Sequence, residues 1–128
     1  MDRVRSGSPY EPMYGFCRAR RVGDRVEVAG TAPVPPPGEA VATTAHDQLL
    51  RCGRIALDAM AELGASATDV VRTRMYITDA GDADEVGRAH ADLFGEAEPV
   101  ATMVVVAALL DPAWKVELEV EAVAPRDG

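Results

Sequence analysis

Residues 99–109 read PVATMVVVAAL: one proline, then ten residues without a charge. A run that is apolar in both phases of the strand alternation marks a strand covered on both faces, usually a central one. Upstream, Asp82 to Phe94 carries Val86, Ala89, His90 and Leu93 on one helical stripe. Asp82 and Glu85 have the spacing of a capping box there, and Gly95 is the stop. Before that helix, VVRTRMYIT (70–78) alternates, with Val71, Thr73, Met75 and Ile77 on one face and Arg72, Arg74 and Tyr76 on the other. Downstream, LLDPAW (109–114) reads as a turn. VELEVEAV (116–123) then sets Val116, Leu118 and Val120 against Glu117, Glu119 and Glu121.

Further out, Thr43 to Leu63 has helical period, with Leu49, Leu50, Gly53, Leu57, Met60 and Ala61 on one stripe. Thr43 or Thr44 is its cap and Gly64 its end. FCRARRVGDRVEVAG (16–30) reads as a hairpin turning at Gly23-Asp24, which sets Arg20 opposite Glu27. TAPVPPPGEA (31–40) is a loop, because its four prolines support neither ladder nor helix interior. Residues 1–15, rich in Gly, Ser and Pro, read as an irregular leader.

The order ββ-α-β-α-ββ predicts an α+β chain forming a single domain over 1–128, one mixed sheet with two helices packed on one face. The uncovered face would then carry Arg72, Arg74, Glu117, Glu119, Arg20 and Glu27. If the sheets of several copies met, Arg and Glu could pair across the seam and the apolar run would be buried. The pattern therefore predicts a homo-oligomer.

The bulk numbers exclude several classes. The chain has 128 residues, 48% of them hydrophobic, and a net charge of −8. That balance argues against nucleic acid as a partner and against a polybasic membrane anchor. No apolar stretch approaches the roughly 20 residues of a membrane span. The first 25 residues have no apolar signal core, and Cys17 and Cys52 read as free thiols, so a cytoplasmic location is expected. His46 and His90 stand on different helices without ligand spacing. DAGDADE (79–85) lacks the ligand alternation of a calcium loop, and neither cysteine sits in a CxxC pair. No metal and no cofactor is expected. Three features stay open. The glutamates of 117–121 are either a salt-bridge ladder with Arg72 and Arg74 or a source of acid/base chemistry. Arg18, near Gly30, either grips an anion or is solvated. Trp114 is either a rim residue or a packing anchor.

Taken together, FCRARRVGDRVEVAG, DVVRTRMYITD, VGRAHADLFGEAEP, PVATMVVVAAL and VELEVEAVA resemble the Rid (reactive intermediate deaminase, or YjgF) family over Phe16 to Ala124. The resemblance implies a chorismate-mutase-like fold and a homotrimer with a small-molecule pocket at each subunit interface. It also implies cofactor-free hydrolysis of reactive enamines and imines to keto acids and ammonia. The family's Pro-x-Arg-Ser/Thr motif grips the substrate carboxylate with its arginine. Here the motif is Pro99-Val100-Ala101-Thr102, so the arginine position holds Ala101, as in an arginine-lacking branch of the family. Other positions depart as well: Phe16 stands for a tyrosine, Ala29 for a serine, Gly87 for an asparagine and Met103 for a cysteine. Gly30 is kept, and the last-strand carboxylate falls at Glu119 or Glu117.

Loss of a buried bidentate contact to a carboxylate removes on the order of 3 kcal/mol of binding. The standard substrate is therefore unexpected. The reading is an enzyme that hydrolyses or isomerises an imine or enamine without a free α-carboxylate, with Glu119 or Glu117 holding the water for hydrolysis and Phe16, Ala29, Ala101 and Met103 forming an apolar wall. Arg18 or Arg74 could restore a guanidinium from elsewhere. The alternative is a non-catalytic binder of a small ligand or partner. RNA cleavage, also attached to the family's name, is disfavoured by the net charge.

Overall fold

The computed structural model describes residues 2–126. The strands are Arg3–Val4 (β1), Ala19–Val22 (β2), Arg25–Thr31 (β3), Val70–Ile77 (β4), Val100–Val105 (β5) and Val116–Val123 (β6). The α-helices are Tyr10–Tyr14 (α1), Ala45–Glu62 (α2) and Ala83–Phe94 (α3). All six strands form one sheet in the order β1-β2-β3-β6-β4-β5. The sheet is mixed: β4 and β5 run parallel and the other neighbours antiparallel.

The expected hairpin forms, with Arg20 opposite Glu27. The leader is not irregular throughout. Arg3 and Val4 pair with Arg20 and Ala19, and α1 ends on Gly15 in the left-handed conformation, φ 79°. A further departure is PVATMVVVAAL itself. Its strand stops at Val105 and lies at the sheet edge, and Val100, Val104 and Val105 are exposed. The helical crossover through α3 lays β5 beside β4, and the returning β6 then inserts between β3 and β4. The charged-looking β6 is thus interior, and the apolar strand is bare in one chain.

The core lies between the sheet and α2 and α3. From β6, Val116, Leu118, Val120 and Ala122 point into it. They meet Leu49, Cys52, Ala56 and Met60 of α2 and Val86, Ala89 and Phe94 of α3. Gly53 lets the helices touch, since a Cβ there would stand 2.5 Å from Leu93 Cδ1. Thr44 caps α2 by accepting the Asp47 N–H at 3.1 Å. The capping box at Asp82 does not form: Asp82 makes no side-chain cap bond. Glu85 instead accepts the His46 N–H of α2 at 3.3 Å, so tertiary contact overrides the local motif. Buried Arg21 donates to the carbonyls of Gly23, Leu63 and Ala124, tying the hairpin to the end of α2. Among the described residues, no helix is long and apolar enough to cross a membrane.

Candidate functional site

The face without helices is read row by row from the strand register. One row runs Arg3, Arg20, Glu27, Glu121, Arg72, Val100 across all six strands. The next rows place Glu119 beside Arg74 and Thr102, then Glu117 beside Tyr76 and Val104. The acidic and basic residues partner within the chain: Arg74 donates to Glu121 at 3.1 Å and Arg25 to Glu27 at 2.7 Å. Arg20 faces Glu27 without taking it. Tyr76 donates its hydroxyl to Glu119 at 2.6 Å, and that bond holds the phenol above its ordinary range. Tyr76 is a functional candidate that the sequence reading left unassigned, although the alternation of VVRTRMYIT had already put it on this face.

A break in the β3–β6 register between Val28 and Thr31 bulges the strand at Ala29 and Gly30. Glu117 packs into the space left by the missing side chain, since a Cβ on Gly30 would lie 3.3 Å from Glu117 Oε2. Burial, then the Glu119 charge, raises the Glu117 carboxyl, and Arg18 opposes the shift. Arg18 Nη1 donates to Thr31 Oγ1 at 2.6 Å, to the Gly30 carbonyl at 3.1 Å and to the Ala29 carbonyl at 3.4 Å. Its Nε is buried without a partner. Arg18 is half-buried, and one arm of its guanidinium, Nη1, braces the bulge that Glu117 leans on. Arg74 is likewise occupied, by Glu121.

Phe16 and Ala29 line a groove of about 920 Å³ beside this bulge. Ala101 and Met103 lie elsewhere. They pair with Thr73 and Met75, whose side chains face the helices, so both belong to the opposite side of the sheet. Gly87 is on α3, with open space where a side chain would be. Trp114 sits half-buried in the turn before β6. Gln48 braces that turn by donating to the Ala113 carbonyl and accepting the Lys115 N–H. The expected site residues thus form two patches. Phe16, Arg18, Ala29, Gly30, Glu117 and Glu119 are at the bulge and the open face, and Ala101 and Met103 are at the β5 edge; Gly87 on α3 and Trp114 in the turn before β6 are counted in neither. One chain does not bring the two together.

Other chemistry is sparse. Cys17 and Cys52 are free, and burial followed by the Glu117 charge pushes the Cys52 thiol up to about 12, which keeps it unreactive. His90 shares a 2.7 Å hydrogen bond with Thr73, and burial lowers its pKa. Among the described residues, no group of three His, Cys, Asp or Glu could hold a metal ion.

Residues 7–124 match the family described as endoribonuclease L-PSP. The chain is 41% identical to an uncharacterized protein, SCO2049, of Streptomyces coelicolor, over 94% of this chain and 90% of the relative. It is 30% identical to a RutC family protein of Pyrococcus abyssi, over 91% of each. The fold is similar to that of Rv2704 from Mycobacterium tuberculosis, a member of the YjgF/YER057c/UK114 family. That likeness has a TM-score of 0.87 at 39% identity and covers 95% of this chain and 98% of the other.

Proposed function

The chain belongs to the endoribonuclease L-PSP family, the YjgF/Rid proteins, and on that footing we propose that it hydrolyses a reactive imine or enamine at a site two copies complete together. The observation that carries this reading is Glu117. A half-buried carboxyl raised by burial, held against Gly30 and beside the Glu119–Tyr76 pair, suits the transfer of protons to and from a water. In the reaction the carboxylate accepts a proton from water as its oxygen attacks the C=N carbon. That proton is delivered to nitrogen to give a carbinolamine; the carboxyl group then moves the carbinolamine's hydroxyl proton to the same nitrogen, the C–N bond breaks, and a carbonyl compound and ammonia leave.

The partner copy supplies the second wall. The apolar β5 edge, with Ala101 and Met103, and the α3 face at Gly87 would close over the bulge of its neighbour in a homotrimer. With Ala101 in the grip position, and with Arg18 Nη1 on the bulge and Arg74 Nη1 on Glu121, the pocket favours a neutral imine over an α-imino acid. The test is ammonia release from open-chain, N-unsubstituted neutral imines, beside 2-aminoacrylate generated in situ. Wild type is expected to accelerate a neutral imine, Glu117→Gln to lose about a hundredfold, and Ala101→Arg to shift preference toward 2-aminoacrylate. Full activity in both Glu117→Gln and Glu119→Gln would reject the mechanism.

The apolar substitutions at Phe16, Ala29 and Met103 favour one other reading, a binder without turnover. Tight ligand binding with no ammonia released from any imine would support it instead.

A further inference from the structure

His90 of α3 reaches the sheet, where its Nε2 and the Thr73 hydroxyl of β4 stand 2.7 Å apart. The hydrolysis described above does not use it. Its surroundings follow from the helix. Glu85 and Leu93 turn toward α2, one accepting the His46 N–H and the other packed at Gly53. Gly87, His90 and Phe94, at i, i+3 and i+7, share the other flank. Since α2 lies over β3 and β6, that flank looks toward β5. There Thr73 pairs with Ala101, which is exposed. A Cβ on Gly87 would meet nothing within 4 Å. Glycine and alanine thus leave the space beside the imidazole open.

Thr73 decides which ring nitrogen carries the proton. It is 0% exposed, and His90 is the one partner of its hydroxyl among the described residues. If Nε2 donated, the Thr73 hydrogen would be buried without an acceptor, which is costly. The hydroxyl therefore donates to Nε2, and the proton of the neutral ring sits on Nδ1. Nδ1 has no partner among the described residues and is open to solvent in the single chain. Burial is the sole cause that lowers the pKa of this ring, so it is neutral at neutral pH. A carboxylate enclosed here would have no counter-charge, and an uncharged acceptor costs less to enclose.

We propose that His90 selects the substrate of the site that two copies complete, by donating its Nδ1–H to an uncharged carbonyl oxygen on the carbon next to C=N. The substrate class is then the imine of a 2-keto amide or 2-keto ester. This rests on the reading that α3 and β5 of one copy close over the bulge of the next. In that closure Ala101 is part of the wall over the reacting carbon. His90 stands beside it through Thr73, so the oxygen it takes belongs to the neighbouring carbon.

The experiment uses the full chain with labelled histidine nitrogens, and His46→Gln to assign the two rings. Nitrogen–proton spectra at neutral pH are expected to place the His90 proton on Nδ1. Pyruvamide, the product of the simplest such imine, is expected to move that resonance and to bind about tenfold more tightly than acetone or pyruvate. His90→Phe, which keeps a ring against Phe94, is expected to erase the preference. Thr73→Val, which removes the donor that fixes the ring, is expected to let the proton move to Nε2 and to weaken the preference. In ammonia release, 2-iminopropanamide generated in situ is expected to outrun propan-2-imine by a similar factor. A His90 proton on Nε2 in the unliganded protein would overturn the inference. So would pyruvamide that binds no better than acetone, or a preference that survives His90→Phe. The hydrolytic reading fails separately. Pyruvamide bound at His90 with no ammonia released from any imine would uphold this contact and reject turnover. Ammonia release that needs Glu117 but shows no preference for the amide would do the reverse.

Discussion

On one face of β6, Val116, Leu118, Val120 and Ala122 are buried at 1% exposure or less by a single chain. On the other face of the same strand Glu117, Glu119 and Glu121 are only half-covered, and the neighbouring β5 leaves Val100 at 58% exposure. The first face is finished: its partners are α2 and α3, and its geometry follows from apolar packing alone. The second carries a bulge, a raised carboxyl, a tyrosine–glutamate bond and an apolar edge, none of them closed off within the chain. Apolar burial is concentrated on the covered face and the shifted titratable groups on the open one, which in the proposed reading a second copy completes.

The strongest way to break this contrast is to cut into the covered face. Leu118→Ala should destabilise the chain by about 2–5 kcal/mol in denaturant melts. A loss under about 1 kcal/mol would mean that the covered face does not hold the fold.

On the open face, changing Glu117 should act in the opposite direction. Burial raises this carboxyl, so the folded chain keeps the proton to higher pH than the unfolded chain does. Its contribution is therefore intact below the ordinary carboxylate range, and stability is lost as pH rises through that range to the raised value. Glu117→Gln should match wild type at acid pH and be the more stable protein above that window, as read from melts across pH. A variant less stable at neutral pH would assign Glu117 to structure.

The smallest effect sharpens the picture without unfolding anything. Glu119→Gln should lower the Tyr76 ionisation toward its ordinary range, because the phenol loses its carboxylate acceptor. Tyrosinate absorbance during alkaline titration reads this directly. No movement would show that the pair does not persist in solution.

The same division explains what the sequence made legible. The alternation of VELEVEAV, the Thr44 cap of α2 and the Gly23-Asp24 turn each report on burial or local geometry within one chain, and each is found as read; the α2 stripe is found rotated, with Leu49, Gly53 and Met60 buried beside Gln48, Cys52, Ala56 and Ala59, while Ala61 is exposed. PVATMVVVAAL was harder, because an apolar run reports burial but not what buries it. An edge strand that a second copy covers, as proposed for β5, would have the composition of a central one. Asp82 and Glu85 had the spacing of a capping box, but Glu85 binds α2 instead, a contact no local pattern contains. At the site, residue types were legible and their grouping was not. Ala101 and Glu117 belong to opposite faces, which depends on where β6 inserts. The occupation of Arg18 by the bulge carbonyls depends on a register shift that the sequence does not announce.

The most direct measurement is the mass of the particle in solution, by light scattering on the eluting peak, for wild type and for Val104→Lys. Val104 is 41% exposed on the β5 edge, so lysine there should leave a single chain folded. The account predicts a wild-type particle of about three times the 13.6 kDa chain, and a Val104→Lys protein that keeps its secondary structure but falls to single chains and loses ammonia release. A wild-type protein that runs as one 13.6 kDa chain and is fully active would contradict it, because the bulge and the β5 edge would then never meet.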